Sequence, residues 1–214
     1  MKIGILGSGD VAKALAAGFI GCGDTVMLGT REPAKLADWQ SASGERALVG
    51  SFAQAAEHGE IILIATLGTA VEAAIEQARP QNFDGKVVID ATNPLDMSAG
   101  APKLAWGFDD SNGERIARAL PNAHVVKAFN TVGNGLFVHP QLPGGPSTMF
   151  VAGNDSWAKG RVGEILERFG WESADVGGIE SSRYLEPMCL AWVLYGVTNN
   201  DWSGHAFKLL RARA

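Results

Sequence analysis

Residues 2–31, KIGILGSGDVAKALAAGFIGCGDTVMLGTR, contain the pattern that decides the fold of this chain. Lys2–Leu6 is a short apolar run that stops at a turn, which predicts a strand. The letters that follow, GSGDVA, match the G-x-G-x-x-G/A spacing of dinucleotide-binding turns. Gly7 allows the tight turn, Gly9 lets a pyrophosphate approach the backbone, and Ala12 lets a helix pack closely on the strand. The N–H groups at the start of that helix favour an anion.

The end of the second predicted strand, Thr25–Leu28, indicates which dinucleotide is bound. At this position, folds that bind NAD place an acidic side chain on the ribose hydroxyls. Here the chain continues Gly29-Thr30-Arg31, and Lys35 follows one helical turn later. A guanidinium pairs with phosphate oxygens in a fork, and Thr30 adds a hydroxyl. Thr30, Arg31 and Lys35 therefore predict a 2′-phosphate site and NADP(H) rather than NAD(H). The alternative is a pair of ordinary solvated cations at a helix start.

The composition indicates a globular chain with one α/β domain and a small appendage. Of 214 residues, 46% are hydrophobic and 19% are charged, and the net charge is −5. A negative net charge and the lack of a Lys/Arg cluster in the sequence give no support to binding of nucleic acid or of anionic membranes. The longest apolar run, Met188–Val197, is shorter than the ~20 residues that cross a bilayer, and no secretory leader is recognised. Cys22 and Cys189 are expected as reduced thiols, so the predicted location is cytoplasmic.

Strands and helices continue to alternate after Arg31, which predicts a doubly wound parallel Rossmann sheet of the α/β class. From Ile179 onward the chain reads as helical. We therefore expect an NADP-binding Rossmann domain over residues 1–178 and a C-terminal helical segment over 179–214, which completes the substrate cleft or a dimer contact. Further predicted strands are Ala47–Val49, Glu60–Ala65, Lys86–Asp90, His124–Ala128, Met149–Ala152 and Trp171–Val176.

Three short polar loops lie where a ligand is expected, because ligands bind beyond the carboxyl ends of the strands in such sheets. They are residues 66–69, 91–94 and 129–135. We expect them to line the groove for the nicotinamide half of the cofactor, although Gly, Pro, Asn and Thr are also ordinary turn residues. Asn130 and Thr131 are predicted to bind a carboxamide or the acceptor ring. The cofactor residues predicted from the first two loops and the strand before them are Ala65, Thr66, Leu67, Asn93 and Pro94.

Four segments together resemble the family of deazaflavin-dependent NADP oxidoreductases. They read KIGILGSGDVAKALA, GTREPAKLADW, VVKAFNTVG and DVGGIESSRYLEP, and the likeness covers nearly the whole chain. The fold of that family resembles the cytosolic reductase domain of the six-transmembrane metalloreductases. The resemblance implies a planar hydride acceptor, a deazaflavin or flavin, stacked near the nicotinamide. It also implies that NADP(H) is held by Ser8, Asp10 and Val11, with the 2′-phosphate at Thr30, Arg31 and Lys35.

No catalytic acid or base is predicted, and no metal site. Hydride transfer between a nicotinamide C4 and a deazaflavin C5 requires stacked rings, and the cofactors supply the reactive carbon centres. The 4 histidines show no spacing of paired metal ligands. Asp90 is expected to accept hydrogen bonds from a neighbouring loop. Lys127 is expected to be solvated or salt-bridged, and the alternative is a contact with a cofactor phosphate.

The C-terminal segment contains aromatic residues that admit two interpretations. A helix over Tyr184–Val197 packs on the sheet or against a second subunit, which predicts a homodimer. Alternatively, Trp192 and Tyr195 shape a pocket for a flat acceptor ring. Trp202 and His205 are expected to share one helical face that covers the cleft, with His205 as a candidate substrate contact.

Three functions are therefore compared. The first is hydride transfer between NADP(H) and a deazaflavin or flavin, with onward transfer to ferric chelates. The second is NADPH-dependent reduction of a small carbonyl or imine, which lacks an evident proton donor in this sequence. The third is a non-catalytic NADP(H) sensor or partner-binding protein.

Overall fold

An eight-stranded sheet forms the centre of the computed structural model, which describes residues 1–98 and 102–212. Residues 99–101, and residues 213–214 of the predicted C-terminal helical segment, lie outside the described residues. The strands are β1 Lys2–Leu6, β2 Thr25–Gly29, β3 Ala47–Gly50, β4 Ile61–Ile64, β5 Val87–Asp90, β6 Leu95–Asp96, β7 Lys103–Leu104, β8 His124–Lys127, β9 Thr148–Gly153 and β10 Glu172–Asp175. The α-helices are α1 Asp10–Gly21, α2 Ala37–Ser43, α3 Phe52–His58, α4 Val71–Ala78, α5 Asn112–Ala119, α6 Ser156–Arg168 and α7 Ser182–Asn199.

The order of the main sheet is β10-β9-β8-β5-β4-β1-β2-β3, and β6 and β7 form a separate pair. The doubly wound Rossmann fold is confirmed, with helices on both faces of a mostly parallel sheet. The expectation of a wholly parallel sheet is wrong at one place, since β8 pairs with β9 in antiparallel register. A parallel pair needs a crossover of a dozen or more residues, usually a helix. The segment 128–147 between β8 and β9 is long enough for a crossover, but its only helical element is a short 3-10 turn, Asn134–Leu136, and the chain turns back without a crossover helix.

The hydrophobic core is built around the apolar strands at the centre of the sheet. All residues of β4 and β5 are buried, and each of these strands has a parallel neighbour on both sides. One cluster of buried side chains packs α1 and α6 on one face, where Phe19 and Phe169 meet with ring centroids 4.9 Å apart. The start of α3 is capped, because Ser51 and Gln54 form a reciprocal capping box. The strands β1 to β5 and β8 pair in parallel register, so their carboxyl ends lie at one edge of the sheet.

The C-terminal segment is helical only in part. α7 ends at Asn200, whose left-handed φ of 49° stops the helix. The Asp201 carboxylate then accepts hydrogen bonds from the backbone N–H groups of Ser203 and Gly204. Residues 201–212 form no helix, and their backbone passes beside β9, where the Thr148 N–H donates to the Phe207 carbonyl. The expectation of a helix throughout this segment is therefore wrong after Asn199.

The proposed boundary between residues 1–178 and 179–214 lies beside shared core. Ile179 is 6% exposed and packs in the same cluster as Ile62, Val88 and Ile116. The division at this point stays a proposal. Cys22 and Cys189 are both free, and burial raises the pKa of the Cys189 thiol to about 11. Among the helices of the described residues, none has the length and apolarity that crossing a membrane requires.

Candidate functional site

The glycine turn after β1 joins three strands at their carboxyl ends. Gly7 has a φ of +145°, and its N–H donates to the Gly29 carbonyl at the end of β2. A Cβ at Gly7 would lie 2.4 Å from the carbonyl oxygen of Ala65, directly after β4. Both the backbone angle and the contact require glycine at this position. The turn therefore sits where β1 and β4 meet, at the switch point of the doubly wound sheet.

The start of α1 offers free N–H groups to a ligand. Gly9 is its N-cap and supplies no side-chain hydrogen bond, so the first N–H groups have no capping partner. A Cβ built on Gly9 would meet no atom of the described residues within 4 Å. An uncapped helix start beside open space fits the pyrophosphate of a dinucleotide, because phosphate oxygens accept these hydrogen bonds and the helix dipole favours their charge.

The residues after β2 form a polar corner of the same site. Thr30 is 8% exposed, and its Oγ1 lies 3.5 Å from Ser8 Oγ in the glycine turn. Arg31 is exposed, and the Lys35 Nζ lies 2.8 Å from Glu32 Oε2. This contact with Lys35 lowers the pKa of Glu32. The sequence reasoning did not single out Glu32, which stands between the two cations predicted to hold the 2′-phosphate.

A cleft of about 920 Å³ connects these features along the carboxyl edge of the sheet. This volume is within the range of small-molecule and cofactor sites. Every residue predicted to hold the cofactor lines it except Pro94, whose carbonyl accepts from the Ala105 N–H. The structure thus brings together Gly7, Ser8, Gly9, Asp10, Val11, Thr30, Arg31, Lys35, Ala65, Thr66, Leu67 and Asn93. Gly68, Thr92 and Asn134 from the three loops expected to line the groove also line the cleft, whereas the sequence reasoning missed Lys13, Glu32, Gln77 and Leu95.

A second cleft of about 820 Å³ lies between residues 208–211 and the edge of the sheet at β10. Its wall carries charges of both signs, such as Glu167 and Lys208, and the latter pairs with Glu172 at 2.9 Å. No helix N-terminus or glycine fingerprint is among its described lining residues. The first cleft is therefore the candidate cofactor site.

Asn130 and Thr131, predicted to contact the substrate, are buried behind the cleft wall at 3% and 2% exposure. Asn130 Nδ2 donates to the side-chain oxygen of Asn93, and Asn93 Nδ2 donates to the Asn130 carbonyl. Asn130 Nδ2 also donates to the Leu185 carbonyl in α7. In this structure Asn130 holds a cleft residue in place, and its own contact with a substrate stays a prediction.

The three aromatic candidates near the C-terminus form a cluster of their own. Trp192 and His205 stack with ring centroids 4.6 Å apart, and the Tyr195 and His205 ring centroids are 4.5 Å apart. The expectation that Trp202 and His205 share a helical face is wrong, because both follow the end of α7 and fold back on Trp192. A Cβ at Gly133 would lie 2.7 Å from the Trp192 ring, so the cluster supports the loop that carries Asn134. Substrate contact by these residues stays a prediction.

A buried ion-pair cluster adjoins the cleft wall. Asp90, Lys127 and Glu186, here called the buried triad, have no exposed surface. Lys127 Nζ lies 2.7 Å from Asp90 Oδ2 and 2.7 Å from Glu186 Oε1. Burial alone would lower the pKa of Lys127, but the two carboxylates raise it above its ordinary value. Burial raises the pKa of Glu186. The prediction of a salt-bridged Lys127 is confirmed, whereas the solvated alternative is wrong.

The chain is similar to a known family of oxidoreductases and to individual proteins of known name. Residues 2–94 match the family model described as "NADP oxidoreductase coenzyme F420-dependent". The F420-dependent NADP reductase of Methanothermobacter marburgensis is 28% identical, and the alignment covers 87% of this chain and 88% of that protein. Rat metalloreductase STEAP3 is 30% identical over 190 residues, which are 88% of this chain but only 36% of the rat protein.

A solved structure extends the likeness to the whole chain. A protein of Arthrobacter sp. FB24, described as a candidate F420-dependent NADP reductase, superimposes with a TM-score of 0.93 at 35% identity. The alignment covers 99% of this chain and 100% of the Arthrobacter chain. The chain therefore belongs to the family of coenzyme F420-dependent NADP oxidoreductases, and it is an NADP-dependent oxidoreductase.

Proposed function

We propose that this chain transfers a hydride between NADP(H) and a planar acceptor of the deazaflavin or flavin class. The observation that supports this function is the distribution of charge along the cleft. Its ionisable residues, among those described, all belong to residues 10–13 and 31–35. The opposite end, formed by residues 65–68 and 91–95 with Asn134, carries none. Hydride transfer between two rings needs positioning rather than an acid or base, so an uncharged end suits it.

The proposal places the cofactor along the cleft in one direction. The start of α1 binds the pyrophosphate, and Thr30, Arg31 and Lys35 bind the 2′-phosphate. The nicotinamide then lies at the uncharged end, beside Asn93. Leu67 is 78% exposed although it is apolar, and it lines this part of the cleft. An exposed leucine gives a flat ring an apolar surface to cover.

Two relatives support the class of acceptor. The Methanothermobacter protein is named for coenzyme F420, which is a deazaflavin, and the Arthrobacter protein is described in the same terms. The rat relative is named a metalloreductase, which supports ferric chelates as a final electron acceptor. Reduction of a small carbonyl or imine needs a proton donor near the substrate, and the described residues at the uncharged end offer no ionisable group.

We also propose a cytoplasmic homodimer in which α7 meets its symmetry mate. Leu194, Tyr195 and Val197 on this helix are each about half exposed, which is typical of an apolar contact surface. Sedimentation of the purified protein measures the mass of the assembly directly.

An acceptor panel tests the function. NADPH absorbance is followed without oxygen in the presence of a deazaflavin, a free flavin, a ferric chelate, and a set of carbonyls and imines. We expect the deazaflavin to give the highest kcat/KM, with NADH a much poorer donor than NADPH because it lacks the 2′-phosphate. Turnover of carbonyls or imines alone would contradict the proposal. Tight NADPH binding without oxidation by any acceptor would indicate a sensor instead.

A further inference from the structure

The buried triad is fully engaged around the ammonium of Lys127. Lys127 Nζ donates to Asp90 Oδ2, to Glu186 Oε1 and to the Thr92 carbonyl, at 2.7, 2.7 and 2.5 Å. A lysine ammonium has three N–H groups, so each has an acceptor. Asp90 and Lys127 are direct neighbours at the ends of β5 and β8, whereas Glu186 arrives from α7. The triad thus connects two strand ends with the C-terminal helix.

The contacts of the triad end on one residue of the cleft wall, Thr92. Its N–H and its hydroxyl both donate to Asp90 Oδ1, at 2.8 and 2.7 Å. Its carbonyl accepts from Lys127, and its hydroxyl also accepts from Asn112 Nδ2 at 2.8 Å. All polar groups of Thr92 are therefore fixed. Because a peptide plane is rigid, fixing the Thr92 carbonyl also fixes the direction of the Asn93 N–H.

The facing wall of the cleft is tied to the same network. Asn112 Nδ2 donates to the Gly68 carbonyl at 3.0 Å as well as to Thr92. A Cβ at Gly68 would lie 1.9 Å from the Asn93 carbonyl oxygen, so these two walls touch. Glu186 Oε1 also accepts from the Gly113 N–H at the start of α5. Both loops of the uncharged end therefore depend on the buried polar groups beside them.

Stability alone does not explain charges at this position. Two carboxyl groups and one ammonium are packed together with no exposed surface, and Glu186 Oε2 has no hydrogen-bond partner among the described residues. Buried ion pairs of this kind often contribute less to stability than apolar side chains of similar volume. Apolar side chains would also attach α7 to the sheet. They would not bind the carbonyl of Thr92, which only a donor can orient.

We propose that the buried triad positions the nicotinamide half of the cofactor, with Lys127 as the central positioning residue. The triad orients the peptide between Thr92 and Asn93, and α7 contributes Glu186 to it. The inference rests on the proposed function for the location of the nicotinamide at the uncharged end of the cleft. The triad acts through Thr92 and touches no cofactor atom itself.

The test removes all three charges together, because a single unpaired charge in the core would hinder folding. The variant is Asp90→Asn/Lys127→Met/Glu186→Gln. Two dissociation constants are measured, one for adenosine 2′,5′-bisphosphate, which is the adenosine half alone, and one for NADP+. We expect the bisphosphate to bind within about twofold of the wild type, whereas NADP+ loses about tenfold. We expect kcat with the best acceptor to fall ~30- to 100-fold, since small misplacements of reacting groups have effects of this size.

A second variant and a control complete the experiment. Glu186→Gln keeps the size of the side chain and an oxygen for Lys127. It should also raise the ratio of the NADP+ dissociation constant to the bisphosphate dissociation constant. The control is Asp24→Asn, which breaks a buried contact with Arg168 before β2, away from the cleft. It should lower the melting temperature and leave the ratio unchanged. The inference is wrong if both triad variants keep the wild-type ratio. If the wild-type protein reduced no acceptor, the proposed function would be wrong. The ratio of dissociation constants would still test the triad, because binding is measured without turnover.

Discussion

Replacement of Gly9 with alanine is expected to abolish most NADPH binding while the fold remains intact. The φ of Gly9 is −80°, which alanine adopts freely, and the added Cβ would meet nothing within 4 Å in the part of the chain that the structure describes. The stability should change by no more than ~1 kcal/mol, since alanine is a poorer N-cap but lowers the entropy of the unfolded chain. The Cβ would, however, fill the space where the pyrophosphate approaches α1. Loss of two charge-assisted hydrogen bonds weakens binding by at least ~100-fold.

The matched control for this variant is Gly21→Ala at the other end of α1. Among residues 1–98 and 102–212, a Cβ at Gly21 also meets nothing within 4 Å, but Gly21 does not line the cleft. Titration of both variants with NADPH, combined with thermal unfolding, separates binding from folding. Equal NADPH affinity of the Gly9→Ala variant and the wild type would show that the pyrophosphate lies elsewhere.

Replacement of Arg31 with alanine is expected to weaken NADPH binding by ~1.5–3 kcal/mol, or ~10- to 150-fold, because a charge-assisted contact with the 2′-phosphate is lost. Arg31→Asp should have a larger effect through repulsion. NADH lacks this phosphate, so its affinity should remain nearly constant. Calorimetric titration with both nucleotides measures the difference.

Arg161→Ala is the control for Arg31. Arg161 lies on α6, where it pairs with Glu164, and it does not line the cleft. It tests whether loss of any exposed cation weakens the attraction of an anionic ligand. An equal loss of NADPH and NADH affinity in Arg31→Ala would contradict a 2′-phosphate site at this corner.

The parts of the site that the sequence predicts well are local in the chain. The fingerprint from Gly7 to Ala12 and the corner from Thr30 to Lys35 each consist of neighbouring residues whose geometry follows from the strand before them. Their spacing is enough to predict a turn, an uncapped helix start and a cationic corner. Within these two stretches every residue lines the cleft except Ala12, Pro33 and Ala34, and Lys13 beside the fingerprint lines it as well.

Contacts between distant residues were harder to predict. Lys127 and Glu186 are separated by 59 positions, and nothing in the pattern of α7 distinguishes Glu186 from a solvated residue. The contact between Asp90 and Lys127 could have been predicted. Each of these residues ends an apolar strand, and opposite charges on neighbouring strands tend to pair. The antiparallel direction of β9 could also have been predicted, because the sequence shows no helix between β8 and β9. The turn at Asn200 and Asp201 was misread because the aromatic spacing beyond it suggested a helix.

The cleft has a charged half and an uncharged half. The charged half, from the glycine turn to Lys35, is suited to the phosphates, and the uncharged half is suited to a pair of stacked rings. The buried triad supports the second half from behind and ties it to α7. In the proposed reaction the chain positions the two rings and excludes water, and the ring systems supply the reactive carbons.

The transfer of isotope from NADPH to the acceptor tests the central claim most directly. Two samples of NADPH, with deuterium on one or the other face of C4, are each mixed with the protein and an oxidised deazaflavin in ordinary water, and the reduced deazaflavin is analysed by mass spectrometry and NMR. We expect deuterium at C5 of the deazaflavin from one of the two samples only, because a hydride passes directly from one face of the nicotinamide to the stacked ring. A reduced deazaflavin without deuterium from both samples, or no reduction at all, would contradict direct hydride transfer.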